Sequence, residues 1–168
     1  MKKLAVTGAI GSGKSFVCRQ MEELGFPVFN CDDEARKLMR EDENLRQRIA
    51  EIVGSNDKTA LRDFISASRE NAEEINRLVH PRVREQWEKF CDEHKEEKAV
   101  VMECALLFET GFEAFVDKTI CVTAPENERV KRVMARDGVG EDYVRKIMSL
   151  QLPQEEKMAR ADVIIKNY

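Results

Sequence analysis

The chain has 168 residues, of which 42% are hydrophobic and 36% are charged, and its formal net charge is −4. This size fits one domain with a sizeable core and a small inserted lobe, and the acidic balance argues against broad nucleic-acid binding, which needs a basic face. No apolar run reaches the length of a membrane span, and the start Met-Lys-Lys leads into a strand rather than a signal peptide. Five cysteines without a C-x-x-C pair indicate reduced thiols, so we expect a cytoplasmic protein.

A glycine-rich loop follows the first apolar run of the chain. Residues 8–15 read Gly-Ala-Ile-Gly-Ser-Gly-Lys-Ser, the G-x-x-x-x-G-K-S pattern of a phosphate-binding loop between a strand and a helix. In such a loop the backbone N–H groups face phosphate oxygens, the lysine reaches the β- and γ-phosphates, and the serine hydroxyl binds Mg²⁺. We therefore expect a nucleoside triphosphate with Mg²⁺. The residues expected to contact it are Gly8, Ala9, Ile10, Gly11, Ser12, Gly13, Lys14, Ser15 and Phe16.

Short apolar runs alternate with helical stretches along the chain. This alternation predicts an α/β fold whose parallel sheet is covered on both faces by helices. The first helix is expected to start at Lys14 and to stop at Gly25. The five predicted strands contain Leu4–Thr7, Val28–Phe29, Val100–Cys104, Thr119–Thr123 and Val163–Ile165.

The long stretch between the second and third predicted strands has a helical pattern throughout. Apolar residues recur at helical spacing from residue 32 to residue 98, and a crossover of this length exceeds a single helix. We therefore expect an all-helical insert at 32–98, between two parts of a core at 1–31 and 99–168. Pro81 is expected to interrupt the last helical region of this insert.

Two acidic residues stand at the ends of predicted strands. Asp32 follows the second strand, where ligands of an open parallel sheet bind, so it could accept a proton from an attacking hydroxyl or help to hold Mg²⁺. Equally, Asp32 could cap the helix that follows it. Glu103 ends the third strand, where an acid can order the Mg²⁺ shell, and the alternative is a surface carboxylate at a strand end.

Basic residues mark two further segments. Arg129, Arg132 and Arg136 share one face of a predicted helix and could clamp a transferring phosphoryl group, or they could form a solvated face paired with Glu126 and Glu128. In the insert, residues 80–84 read His-Pro-Arg-Val-Arg. Pro81 at a helix start with a capping histidine would explain this segment structurally, whereas its arginines could instead hold a substrate phosphate.

The chain resembles the dephospho-CoA kinases, a branch of the nucleoside-monophosphate-kinase-like phosphate-loop enzymes. The resemblance runs along nearly the whole chain, and the order and spacing of its segments are specific. Besides the phosphate loop, the segments include Val28 to Arg36, Ala60 to Arg62, His80 to Arg84, Leu106 to Glu109, Val116 to Lys118, Arg136-Asp137, Gln151 to Pro153, Arg160 to Ile164 and Asn167.

This resemblance implies a three-layer P-loop NTPase fold with a five-stranded parallel sheet, a helical substrate-binding insert and a lid around 125–150. It implies transfer of the γ-phosphoryl group of ATP to the ribose 3′-hydroxyl of dephospho-CoA, the last step of CoA biosynthesis. Dephospho-CoA is then the partner, and we expect a monomer that uses no nucleic acid or membrane. The implied catalytic residues are Asp32 as base, Lys14 and Arg136. The implied ATP lid residues are Arg132 and Arg136, the acceptor residues are Asp32, Arg36, His80 and Arg84, and the metal residues are Ser15 and Glu103.

The chain departs from the family pattern at several positions. Ala9 replaces a glycine, Asn30 an aspartate and Ala105 a proline, and we expect a short insert and no counterpart of the family's final helix. These departures concern the acceptor more than the ATP site. Two alternatives therefore stay open: a related nucleoside or nucleotide kinase, and an ATP-binding module without catalysis.

Overall fold

The computed structural model describes residues 1–168 and contains one five-stranded parallel sheet in the order β2-β3-β1-β4-β5. The strand bounds are β1 Lys2–Thr7, β2 Val28–Asn30, β3 Ala99–Glu103, β4 Lys118–Thr123 and β5 Val163–Lys166. Every residue of β3 is buried, because helices cover both faces of the sheet as the continuous apolar strands require. The predicted α/β fold with five parallel strands is confirmed.

Eight α-helices and one short 3₁₀ helix at Phe112–Phe115 connect the strands. Four of them lie between β2 and β3: α2 Cys31–Glu41, α3 Glu43–Val53, α4 Lys58–Ala67 and α5 Arg69–Glu93. The others are α1 Lys14–Glu23, α6 Glu126–Asp137, α7 Glu141–Leu150 and α8 Gln154–Arg160. None of these helices combines the length and the apolar character that a membrane span would need.

The long helix of the insert packs directly on the sheet. One face of α5 carries five buried side chains, and they share a hydrophobic cluster with Phe29 of β2 and Met102 of β3. The rings of Phe29 and Trp87 meet edge to face at 5.6 Å. The insert and the sheet therefore share one core, so α5 and the start of α2 are fixed relative to the phosphate loop. The buried residues of α5 are Ile75, Val79, Val83, Trp87 and Cys91.

The expectation that Pro81 interrupts the helical region is wrong, and so is the alternative in which Pro81 starts a helix. Helix α5 continues through Pro81 without a break. A proline inside a helix removes one backbone hydrogen bond. Here the buried stripe on both sides of Pro81 holds the helix on the sheet, and tertiary packing therefore outweighs the local preference.

The register of the strands brings the predicted polar residues to one edge of the sheet. Asn30 at the end of β2 lies beside Glu103 at the end of β3, and Glu103 lies beside Val6 of β1. Parallel strands end at the same edge, so the phosphate loop after β1 opens where these two polar side chains emerge.

Candidate active site

The phosphate loop leads directly into α1, as the motif predicts. Gly11 has a φ of +79°, and a Cβ there would lie 2.4 Å from the backbone oxygen of Arg129. Gly13 has a φ of +97° and precedes the first residue of α1. No residue other than glycine has a positive φ, so Ala9 adopts an ordinary backbone conformation and replaces a glycine without strain.

Glu103 is buried at the carboxyl edge of the sheet between two hydrogen-bond donors. The Ser15 hydroxyl donates to its Oε1 at 2.6 Å, and Asn30 Nδ2 donates to its Oε2 at 3.1 Å. Glu103 is 7% exposed, so the alternative of a surface carboxylate is wrong. No cluster of three acidic, histidine or cysteine residues that could hold a metal occurs in the chain. The Ser15–Glu103 pair nevertheless fits Mg²⁺, which takes one or two protein oxygens and binds phosphates and water with its other positions.

Asn30, at the end of β2, contacts both the start of α2 and Glu103 of β3. Its Oδ1 accepts a hydrogen bond from the backbone N–H of Asp33 at 3.0 Å and so caps α2, while its Nδ2 donates to Glu103. The alternative in which Asp32 is the cap is therefore wrong. An ionised aspartate at position 30 could make the cap but could not donate to Glu103, which explains why an amide suits this position.

A polar cavity of about 480 Å³ opens above the phosphate loop. It brings together six residues that the sequence assigns to catalysis, acceptor or metal binding: Lys14, Ser15, Asp32, Arg36, Glu103 and Arg136. Burial lowers the pKa of Lys14, and the carboxylates of Asp32 and Glu103 oppose that shift. The charges of these residues therefore act on each other across the cavity.

Asp32 lies in the first turn of α2 with its side chain exposed to this cavity. The neighbouring Asp33 is paired with Arg36, whereas Asp32 forms no hydrogen bond with the protein. Its oxygens are thus free to accept a proton or a hydrogen bond from a bound molecule. Asp32 also lines a narrow, mostly apolar pocket of about 90 Å³ that extends under the insert.

The three arginines of α6 have three different surroundings. Arg129 is buried and donates from Nε to the Ala124 oxygen at 3.1 Å, and burial lowers its pKa. Arg132 donates to the backbone oxygens of Gly11 and Ser12 in the phosphate loop at 3.2 and 3.3 Å. Arg136 lines the polar cavity and binds Asp137. The alternative of a solvated face is wrong, because Arg129 is buried.

The acidic residues of α6 also differ from that alternative. Glu126 pairs with Arg145, and Glu128 pairs with Lys131. Neither carboxylate forms an ion pair with Arg129, Arg132 or Arg136, although the charge of Glu126 acts on Arg129. Arg132 thus contacts the phosphate loop, and Arg136 lines its cavity while paired with Asp137.

His80 and Arg84 of α5 lie in different places. The half-buried His80 ring meets Phe112 edge to face at 5.5 Å, and burial lowers its pKa to about 4. It lines the narrow pocket below Asp32 and also a larger cavity of about 580 Å³ between the insert and α7. Arg84 is exposed, pairs with Glu88 and covers the Phe115 ring at 4.2 Å. The structure therefore brings His80, but not Arg84, towards Asp32.

Phe16 also lies outside the polar cavity. It is 49% exposed on the first turn of α1.

Nearly the whole chain is similar to known proteins. The model of the family described as dephospho-CoA kinase matches residues 3–168. The chain belongs to the dephospho-CoA kinase family. A dephospho-CoA kinase from Salinibacter ruber is 40% identical over 177 residues, which cover 99% of this chain and 89% of that protein.

Solved structures agree with this family assignment. The structure of a Thermus thermophilus protein, TT1252, has a TM-score of 0.87 and 34% identity, covering 99% of this chain and 88% of that one. A dephospho-CoA kinase from Campylobacter jejuni has a TM-score of 0.67 and 28% identity, covering 98% and 87% of the two chains. The predicted P-loop fold and the predicted family are both confirmed.

Three residues of this dephospho-CoA kinase family member support the site but received no role from the sequence. Lys157 has no exposed surface, and its Nζ donates to the Ala105 oxygen at 2.6 Å and pairs with Glu109 at 3.2 Å. Asn167 Nδ2 donates to the Ser12 oxygen at 3.1 Å. Gln151 lines the polar cavity and the larger cavity, and its Oε1 is buried without a hydrogen-bond partner.

The sequence carried only a weak signal for these three residues. Gln151 and Asn167 belong to segments that carry the family resemblance, yet side chains near the end of a chain reach the phosphate loop only after folding. Lys157 is an isolated lysine in a charged stretch, and such a residue is normally exposed. At position 105 only the backbone oxygen is used, and the proline expected there also provides that oxygen.

Proposed function

We propose that the chain transfers the γ-phosphoryl group of ATP to the ribose 3′-hydroxyl of dephospho-CoA and releases CoA and ADP. Membership of the dephospho-CoA kinase family supports this reaction. The observation that carries the proposal is the polar cavity, in which the unpaired carboxylate of Asp32 faces Lys14 of the phosphate loop. A phosphoryl donor and a hydroxyl acceptor can meet there.

In the proposed mechanism Asp32 accepts the proton of the attacking 3′-hydroxyl. Phosphoryl transfer leaves little covalent work for the protein, so positioning and charge stabilisation provide most of the catalysis. Lys14 and Arg136 reduce the negative charge that develops on the transferring group. Arg132 holds the phosphate loop through two backbone oxygens and keeps its N–H groups in place.

Ser15 and Glu103 would hold Mg²⁺. Bound there, the ion would neutralise phosphate charge and align the β- and γ-phosphates for transfer. Asn30 orients the carboxylate of Glu103 from the side opposite to Ser15, so the direction of both oxygens is set before any ligand binds.

The acceptor enters from the side of the insert. Arg36 lines the polar cavity next to Asp32, and His80 lines the narrow pocket below it. Because burial lowers the pKa of His80 to about 4, its ring is neutral at pH 7 and can stack or share a hydrogen bond with a nucleoside. We place the adenosine end of the acceptor in the larger cavity beside His80.

We also infer that the enzyme works as a monomer in the cytoplasm. All five cysteines are free and buried, which suits a reducing compartment. Light scattering on a size-exclusion column tests whether the enzyme is a monomer. A dimer that persists at enzyme concentrations used in the assay would contradict it.

The decisive experiment measures ADP release from the purified protein with Mg-ATP, in the presence and absence of dephospho-CoA. We expect turnover that depends on dephospho-CoA and disappears in Lys14→Ala. A panel of nucleosides and nucleotides serves as competing acceptors. Preference for another hydroxyl acceptor, or ATP binding without any acceptor-dependent turnover, would contradict the proposed function.

A further inference from the structure

Gln151 is the one residue that lines both the polar cavity and the larger cavity. It follows the last residue of α7 in an extended backbone conformation, with φ of −104° and ψ of 161°, and lies on the short connection to α8 rather than on the insert. The polar cavity holds Lys14 and Asp32, and the larger cavity holds His80. Gln151 therefore stands at the junction between the reacting groups and the space beside His80.

Hydrogen bonds fix the backbone on both sides of this junction. The Gln151 N–H donates to the Met148 oxygen at 3.2 Å, and the Leu152 N–H donates to Glu109 Oε2 at 3.2 Å. Glu109 is in turn paired with the buried Lys157 at 3.2 Å. The position of Gln151 is thus set by its neighbours before any ligand binds, as a recognition site requires.

The side-chain carbonyl of Gln151, in contrast, is unused. Its Oε1 is buried and has no hydrogen-bond partner. A buried carbonyl oxygen without a donor is unfavourable, because nothing compensates the loss of its hydration. No hydrogen bond to Oε1 holds the amide, and the last side-chain torsion of a glutamine is soft, so the amide can turn towards either cavity at little cost.

The proposed acceptor brings a ribose to this junction. Its 3′-hydroxyl lies at Asp32 in the polar cavity, and the adenine on C1′ lies in the larger cavity, which Asp32 does not line. Since C2′ is bonded to both C3′ and C1′, the 2′-hydroxyl lies between the two cavities. The narrow pocket also runs from Asp32 towards His80, but it has a volume of only about 90 Å³ and a mostly apolar lining. A polar sugar therefore fits better at Gln151.

We propose that the side-chain amide of Gln151 hydrogen-bonds the ribose 2′-hydroxyl of the acceptor and so directs the neighbouring 3′-hydroxyl to Asp32. A hydroxyl both donates and accepts, so it can pair with either end of the amide. This inference rests on the proposed function. It makes Gln151 the residue by which the enzyme distinguishes a ribose from a 2′-deoxyribose.

The test compares two acceptors with the full chain and Mg-ATP: dephospho-CoA, and dephospho-CoA whose adenosine is replaced by 2′-deoxyadenosine. The wild type should prefer the ribose acceptor by about 10- to 100-fold in kcat/KM, because the deoxy acceptor leaves the amide unpaired. In Gln151→Met, which has no amide, the preference should fall to about threefold or less. Gln151→Glu keeps an acceptor oxygen at this position and should keep the preference.

Gln154→Met is the matched control for a merely structural effect. The Gln154 Oε1 accepts a hydrogen bond from the Ala124 N–H at 3.1 Å, and the residue lines neither the polar nor the larger cavity. We expect this variant to keep the wild-type preference between the two acceptors.

Four results would overturn the role of Gln151. They are equal use of both acceptors by the wild type, an unchanged preference in Gln151→Met, the same loss of preference in Gln154→Met, and equal preferences in Gln151→Met and Gln151→Glu. The first needs no variant, so it does not depend on how Gln151→Met folds. Absence of wild-type turnover with dephospho-CoA itself would contradict the proposed function instead, so the two failures are distinguishable.

Discussion

The phosphate-loop edge and the helical insert face the same space but are built differently. At the edge, Glu103 is buried between Ser15 and Asn30, and Arg132 is bound to loop backbone oxygens. On the insert, Arg46 and Lys58 are exposed and unpaired.

The difference follows from what each region would bind. A triphosphate and a metal need fixed N–H groups and oxygens, so the edge is ordered by hydrogen bonds before any ligand arrives. A long acceptor with a flexible arm can instead be held by exposed cations on a rigid helical support, at the entropic cost of ordering them on binding. The ATP half and the acceptor half should therefore respond differently to substitution.

The largest expected effect is a loss of turnover at Asp32 that leaves ATP binding intact. Asp32→Asn should lower kcat by about 10²- to 10⁴-fold, since it removes the proton acceptor, while ATP binding is retained. Stopped-flow or steady-state ADP release together with a nucleotide-binding titration measures both quantities. Asp33→Asn is the matched control, since Asp33 is paired with Arg36, and it should lose far less activity. Near-wild-type turnover in Asp32→Asn would contradict the role of base.

The next largest expected effect is on the stability of the fold, through the buried Lys157 next to the phosphate-loop edge. Lys157→Met should lower the free energy of unfolding by about 3 kcal/mol, because it removes the buried ammonium group that pairs with Glu109 and donates to the Ala105 oxygen. The Leu152 N–H still donates to Glu109 and the Thr7 hydroxyl to the Ala105 oxygen, but neither carries a charge. Chemical denaturation measures this change. Lys131→Met, at an exposed position of α6, should change the stability by less than about 0.5 kcal/mol. Equal stabilities of the two variants would show that the buried pair contributes nothing.

On the insert, the free energy of unfolding should depend on pH through His80. Burial lowers the pKa of His80 to about 4 from an ordinary 6.5, so between these values the unfolded chain binds more protons than the folded one. The stability that depends on the neutral ring is complete above about pH 6.5 and is lost as the pH falls towards 4, by up to about 3 kcal/mol. Denaturation at pH 7.5 and at pH 5 should show a smaller pH dependence in His80→Gln than in the wild type. An identical dependence in both proteins would exclude His80 as its source.

The smallest expected effect tests the metal residues of the edge. Glu103→Gln should raise the Mg²⁺ concentration for half-maximal activity about tenfold, since it removes the negative charge next to Ser15. A magnesium titration of the initial rate at saturating ATP measures this shift. A half-maximal concentration equal to that of the wild type would contradict the metal role of Glu103.

Much of the edge could be predicted from the sequence because its signals are local. The phosphate-loop motif fixed the order of strand, loop and helix, and acidic residues after strand ends had to lie near that loop in a parallel sheet. The role of Asn30 could not be predicted. Its cap of α2 is local, but its hydrogen bond to Glu103 depends on the register between β2 and β3.

The insert was harder to predict in detail. Its helical character followed from apolar spacing. The helix boundary expected at Pro81 was wrong, because the buried side chains of α5 stabilise the helix by more than one lost hydrogen bond costs. Its substrate-binding role, the division into core and insert, and the lid stay predictions.

The sequence by itself determined the fold class, the phosphate loop and the family, because these depend on residue types at fixed spacing along the chain. Only the tertiary structure decided how far-apart residues meet: Asn167 at the phosphate loop, Lys157 beside the Ala105 oxygen, and Arg36 with Lys14 in the polar cavity. Such contacts join positions up to 155 residues apart, and packing rather than local pattern sets their geometry.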